Sequence, residues 1–155
     1  MIPCDWAAIN GVVVRLEKAR KGLGMLSLKI AQEIINKGIS KAEELQQNVT
    51  IAVVDEHGEL VALNKMDDAL VVSPHFAESK AKTSALLGLD TQQIGQYAQP
   101  GQPYFGITDA FGGVLMTIAG GTPIKNAEGK VMGGVGVGGS YDVKLDAEIA
   151  KSSLA

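Results

Sequence analysis

Val114 to Ser140 reads VLMTIAGGTPIKNAEGKVMGGVGVGGS, and the fold turns on how this stretch is read. Val114 to Ala119 is an apolar run of strand length, closed by Gly120-Gly121. Asn126-Ala127-Glu128-Gly129 is turn chemistry, with Gly129 free to take a positive φ. From Val131 to Val137 bulky and bare positions alternate. The segment predicts two or three strands joined by tight turns. Glycine weakens a strand, so its repetition implies that something approaches the backbone closely. A packed helix, a neighbouring subunit or a ligand would each do so, and the function depends on which.

Upstream, Ser27 to Gln47 predicts a helix with Ser27 as N-cap. Its apolar face carries Ala31, Ile34, Ile35, Gly38, Ala42 and Leu45. Gly38 on that face suggests close packing on a sheet. Val49–Asp55 and Glu59–Lys65 predict a hairpin through Glu56-His57-Gly58, both strands apolar enough to be central. Ser73 as N-cap and Pro74 at the first helical position open a second helix that runs to Leu87, with Gly88 as its C-cap. Ala77, Ala81 and Ala85 form a small-residue row on it. A short helix from Asp90 to Tyr97, capped by Asp90 or Thr91, and a final helix from Tyr141 to Leu154 complete the order. The order is that of an α+β domain with an antiparallel sheet.

The chain has 155 residues, 46% of them hydrophobic and 20% charged, which fits one domain with a proper core. A net charge of -3 disfavours nucleic-acid or anionic-membrane partners, and no apolar run approaches the roughly 20 residues of a membrane span. Its one cysteine, Cys4, excludes an internal disulfide framework and agrees with a cytoplasmic location. In residues 1–24 the basic residues follow the apolar ones, the reverse of a secretory signal. Lys18-Ala19-Arg20-Lys21-Gly22 can be encoded by purine-rich codons resembling a ribosome-binding site, just ahead of Met25. Residues 1–24 are therefore expected to be a non-native or disordered extension, and 25–155 the domain.

Gly134, Gly136 and Gly139 satisfy G-x-G-x-x-G, but no βαβ unit with its later acidic residue can follow within the chain. A weaker expectation survives. Gly138-Gly139-Ser140 leads into a helix, so its N–H groups suit a carboxylate or phosphate, with tight packing as the alternative. His57 and His75 lack partners at metal-ligand spacing, so no dedicated metal site is expected. Haem needs only one axial ligand from the protein, for which His75, Met66 and Tyr104 are candidates. Lys80 and Thr83 share a helix face at i, i+3; Lys80 either holds an anion or snorkels to solvent. Asp67 lies beside these at a strand end, and no catalytic triad is legible.

Val53-Val54-Asp55 with Gly58, Lys65-Met66-Asp67, Ser73 and Ala77-x-x-Lys80-Ala81-x-Thr83 then form a series that resembles the GlcG/HbpS family. Pro100-Gly101, Gly120-Gly121-x-Pro123-Ile124 and the closing Gly133–Gly139 run continue it in order. The resemblance spans Met25 to the C-terminus and implies a profilin-like antiparallel sheet of about five strands, flanked by helices, in a homo-oligomer. It departs at Asp68, where the family usually has Gly. The family resembles the C-terminal domain of PduO corrinoid adenosyltransferases and extracellular haem-binding proteins. Without a secretory signal, the closer expectation is a cytoplasmic accessory protein of a bacterial catabolic operon, binding haem or cobalamin. A small-molecule enzyme using Lys80, or a scaffold whose glycine strands serve subunit packing, are the alternatives. The expected ligand-binding set is Met66, Asp67, His75, Lys80, Thr83, Tyr104, Gly120, Gly121, Gly138, Gly139 and Ser140.

Overall fold

In the computed structural model, which describes residues 26–155, the bare positions of the glycine-rich strand seat a helix of the same chain. Strand β4 (Val131–Gly138) lies beneath the helix formed by Ser73–Leu87. A Cβ on Gly134 would collide with the carbonyl of Ala81, and one on Gly136 with the carbonyl of Ala77. A Cβ on Gly138 would stand 2.8 Å from that of Phe76. The alanine row and the glycine row thus face each other, and the two backbones come together because neither carries bulk. The expectation for residues 1–24 lies outside the described residues.

The elements run α1 (Leu28–Glu44), β1 (Thr50–Asp55), β2 (Leu60–Lys65), α2 (Ser73–Leu87), α3 (Thr91–Tyr97), β3 (Gly121–Lys125), β4, and α4 (Val143–Ser152), with a 3-10 segment at Ile107–Gly112. The strands form one antiparallel sheet in the order β2-β1-β4-β3. Alternation along β1 and β4 divides the core into two. Val49, Ile51, Val53, Val135 and Val137 pack with α1 and α4 on one face. Ala52 and Val54 meet Ala77, Ala81 and Ala85 of α2 on the other. Ile35, Ile51 and Ile149 are fully buried, each worth roughly 1.5–3 kcal/mol of transfer free energy.

Local chemistry accounts for most boundaries. Ser27 Oγ accepts from the Ile30 N–H at 3.2 Å, and Gly88 ends α2 in the left-handed conformation, both as expected. Gly38 sits where α1 meets the sheet, since a Cβ there would be 2.6 Å from Ile51 Cδ1. Asp55 Oδ1 accepts from the N–H groups of His57 and Glu59 at 2.9 Å, closing the predicted hairpin turn. Asn126 does the same for the turn that joins β3 to β4.

Four expectations change. Val114–Ala119 is not a strand, so the sheet has four strands rather than about five. That run instead lies over α2, where the Met116 N–H donates to Thr83 Oγ1 at 2.8 Å and Leu115 is buried. A helix side chain takes the place of a ladder partner. β2 is an edge strand rather than a central one, and its side chains are half-buried. Ser73 does not cap α2: Val72 precedes the helix without a side-chain cap, and the Ser73 hydroxyl instead donates to the Leu70 carbonyl and pairs with Thr50 Oγ1 at 2.7 Å. Asp90 precedes α3 without capping it, and the Thr91 hydroxyl accepts from the Gly121 N–H at 2.9 Å. Among the described residues no helix is long and apolar enough to cross a membrane.

Candidate functional site

The pairing register gathers much of the expected site at one end of the sheet. Thr50 pairs with Lys65 on β2 and with Gly138 on β4, so Met66, Asp67, Gly138, Gly139 and Ser140 all emerge beside the start of β1. The Thr50–Ser73 hydroxyl pair brings the N-terminal turn of α2, and with it His75, to the same end. His75 is exposed there, and so are Leu70, Val71 and Val72; Val71 is 91% exposed. Tyr141, at 98%, stands just beyond Ser140. An imidazole thus shares this end with apolar side chains that the fold leaves in solvent. Met66 is half-buried against the core.

Below this surface lies a closed polar network. Lys80, 1% exposed, donates to Asp146 Oδ2 at 2.7 Å and to the Val137 carbonyl at 2.8 Å. Asp146 Oδ1 accepts from the Ser140 hydroxyl at 2.6 Å and from its N–H at 3.2 Å. The anion expected at Gly138-Gly139-Ser140 is therefore supplied by the chain itself. Burial pushes the Lys80 ammonium below its ordinary 10.5, against the attraction of Asp146. Lys80 does not snorkel to solvent. Thr83 is equally buried, its hydroxyl donating to the Ser79 carbonyl while it accepts from Met116.

Gly120 and Gly121 pack tightly around this pair. A Cβ on Gly120, whose φ is +120°, would lie 2.9 Å from Lys80 Nζ and 2.8 Å from the Val137 carbonyl. Tyr104 packs edge-on against Tyr97, with ring centroids 6.0 Å apart, in the segment that follows α3. The expected set therefore divides into a surface group around His75 and a buried group around Lys80, with Tyr104 paired to Tyr97. No group of acidic, histidine or cysteine side chains able to hold a metal occurs among the described residues.

Asp146 is the residue that sequence reasoning missed. Its signal was an acid in register with Ile149 and Ala150 on the buried stripe of the last helix. A buried carboxylate on such a stripe demands a partner, and Lys80 on the small-residue face of α2 was the available cation.

Residues 26–155 match the family model described as "Haem degrading protein HbpS-like". The chain is 31% identical over 142 residues to the corrinoid adenosyltransferase PduO of Citrobacter freundii, a match covering 92% of this chain and 42% of PduO. It is 33% identical over 113 residues to protein GlcG of Escherichia coli, covering 73% of this chain and 81% of GlcG. The crystal structure of a PduOC–heme complex matches with a TM-score of 0.79 at 29% identity, covering 84% of this chain and 93% of that one. The chain spans about two fifths of the length of PduO and most of GlcG. With its whole described domain covered by one family and the same residue series that the sequence carries, the chain belongs to the HbpS-like family, the GlcG/HbpS group.

Proposed function

We propose that the chain is a tetrapyrrole-binding accessory protein that takes haem at the sheet end where His75 stands. The observation that carries this reading is the exposed imidazole beside uncovered Leu70, Val71 and Val72, in a domain whose relative forms a heme complex. A porphyrin needs an axial donor and apolar side chains against its ring, and this end has an exposed imidazole beside exposed Leu70, Val71 and Val72. Met66 is half-buried against the core and Tyr104 is packed against Tyr97, whereas His75 is exposed, so His75 is the preferred axial ligand. The relation to PduO makes a corrinoid the second ligand to test. We place the protein in the cytoplasm, as a homo-oligomer serving a bacterial catabolic pathway.

The enzyme alternative through Lys80 is less favoured, because its ammonium is already held by Asp146 and Val137. The scaffold alternative is less favoured as well, because α2 of the same chain occupies the glycine row. Titration of the purified protein with hemin, and separately with cobalamin, tests the proposal. Saturable binding with a shifted Soret band is expected for hemin, lost or weakened at least about tenfold in His75→Ala. Absence of saturable binding of either cofactor overturns the tetrapyrrole reading. Full retention by His75→Ala overturns the ligand assignment alone.

A further inference from the structure

One carboxylate joins the surface group to the buried group. Asp146 Oδ1 holds Ser140 through its N–H and its hydroxyl, whose one proton is shared with the Asp142 carbonyl at 2.7 Å, while Oδ2 holds Lys80 of α2, the helix that also carries His75. Lys80 in turn holds the Val137 carbonyl, one residue from the end of β4. The connection leaving β4 contains Gly139 at φ +123°, a position with wide backbone freedom. Tying Ser140 down removes that freedom on the near side of Tyr141. The next amide along the chain, the Tyr141 N–H, donates to Gln47 Oε1 at 3.3 Å.

A buried ion pair adds little net stability compared with apolar packing of the same volume, so stability alone is a weak reason to place one here. What this pair supplies is a defined relation between a glycine-containing connection and a helix. We infer that Asp146 is a positioning residue, fastening the Gly138–Tyr141 connection to α2 so that this connection and His75 meet a ligand in one arrangement. The ligand part of the inference rests on the haem reading above, and the fastening rests on geometry alone.

The test compares wild type with Ser140→Ala, which removes the shorter tie without disturbing Lys80, and with Ser140→Thr, which keeps a hydroxyl. Asp146→Asn serves as a second route. Three measurements are made: amide hydrogen exchange at residues 139–141 without ligand, melting temperature, and hemin titration with its Soret spectrum. Ser140→Ala is expected to exchange at least about tenfold faster at these amides and to bind hemin about 10–100-fold more weakly with an altered Soret band, while its melting temperature stays near wild type. Ser140→Thr is expected to restore all of these. Unchanged exchange in both Ser140→Ala and Asp146→Asn overturns the fastening. Faster exchange with unaltered hemin affinity and spectrum overturns the positioning role. A wild type that binds no hemin ends the haem reading, and the exchange data still decide the fastening.

Discussion

At the scale of the residue, the decisive feature is the hydrogen that stands in place of a methyl group at Gly134 and Gly136. Gly136→Ala drives a Cβ into the Ala77 carbonyl, a backbone atom that cannot step aside cheaply, and is expected to cost about 3 kcal/mol in denaturant unfolding. Gly138 has no positive φ, so its alanine variant would be penalised by Phe76 rather than by backbone strain. Asp68 shows the opposite situation. It is exposed with φ +60°, where a side chain is tolerated rather than favoured. Asp68→Gly is expected to raise stability slightly, and Asp68→Val to lower it by about 1–2 kcal/mol, both read from thermal melts. Lys80 has a pH signature. Because its folded pKa lies below 10.5, the native state releases its proton first as the solution becomes alkaline. The unfolded state then binds more protons, so this group contributes rising stability as pH climbs toward 10.5. Unfolding free energies of wild type and Lys80→Met, compared from about pH 8 to 10.5, are expected to diverge, the wild-type curve rising relative to the variant. A wild-type curve falling relative to the variant throughout would contradict it.

At the scale of the element, α2 is held on both sides by different chemistry. The sheet side is apolar and close, built from alanine against glycine. A second face is polar, with Lys80 on Asp146 and the Val137 carbonyl and Thr83 on the 114–120 segment. Removing either member of the pair strands a buried charge. Asp146→Leu and Lys80→Met are each expected to cost about 3–5 kcal/mol, whereas the double variant should cost much less than the two together. Additive losses would show that the two groups do not act as a pair. The segment after α3 illustrates why propensity failed at Val114–Ala119. Its apolar residues have strand composition, but the surface they cover belongs to a helix.

At the scale of the molecule, the sheet has helices on both faces, and considerable apolar surface remains outside them. Tyr97, Tyr104 and Phe105 are 48%, 39% and 66% exposed in the segment around the end of α3. A second copy of the chain is the expected cover for this surface, consistent with the proposed homo-oligomer. Sedimentation of wild type should then show a multimer, and Phe105→Glu should shift it toward smaller species. A monomeric wild type would remove the basis for that proposal.

Periodicity, capping and turn chemistry suffice to place α1, the β1–β2 hairpin, the bounds of α2 and the β3–β4 turn, because each depends on contacts only a few residues apart. Ser27, Gly88, Asn126 and the alternation of Val131–Val137 announce these features in one dimension. The residue series also suffices to name the family. Other matters wait on distant partners. Whether the glycines admit a helix, a subunit or a ligand is decided by α2, some 50 residues upstream. Asp146 meets Lys80 across a separation of 66 residues, and no local pattern encodes such a pairing. His75 shares its end of the sheet with Ser140 only because β1, β2 and β4 align there, since the register of a sheet joins residues by hydrogen bonding rather than by their order in the chain.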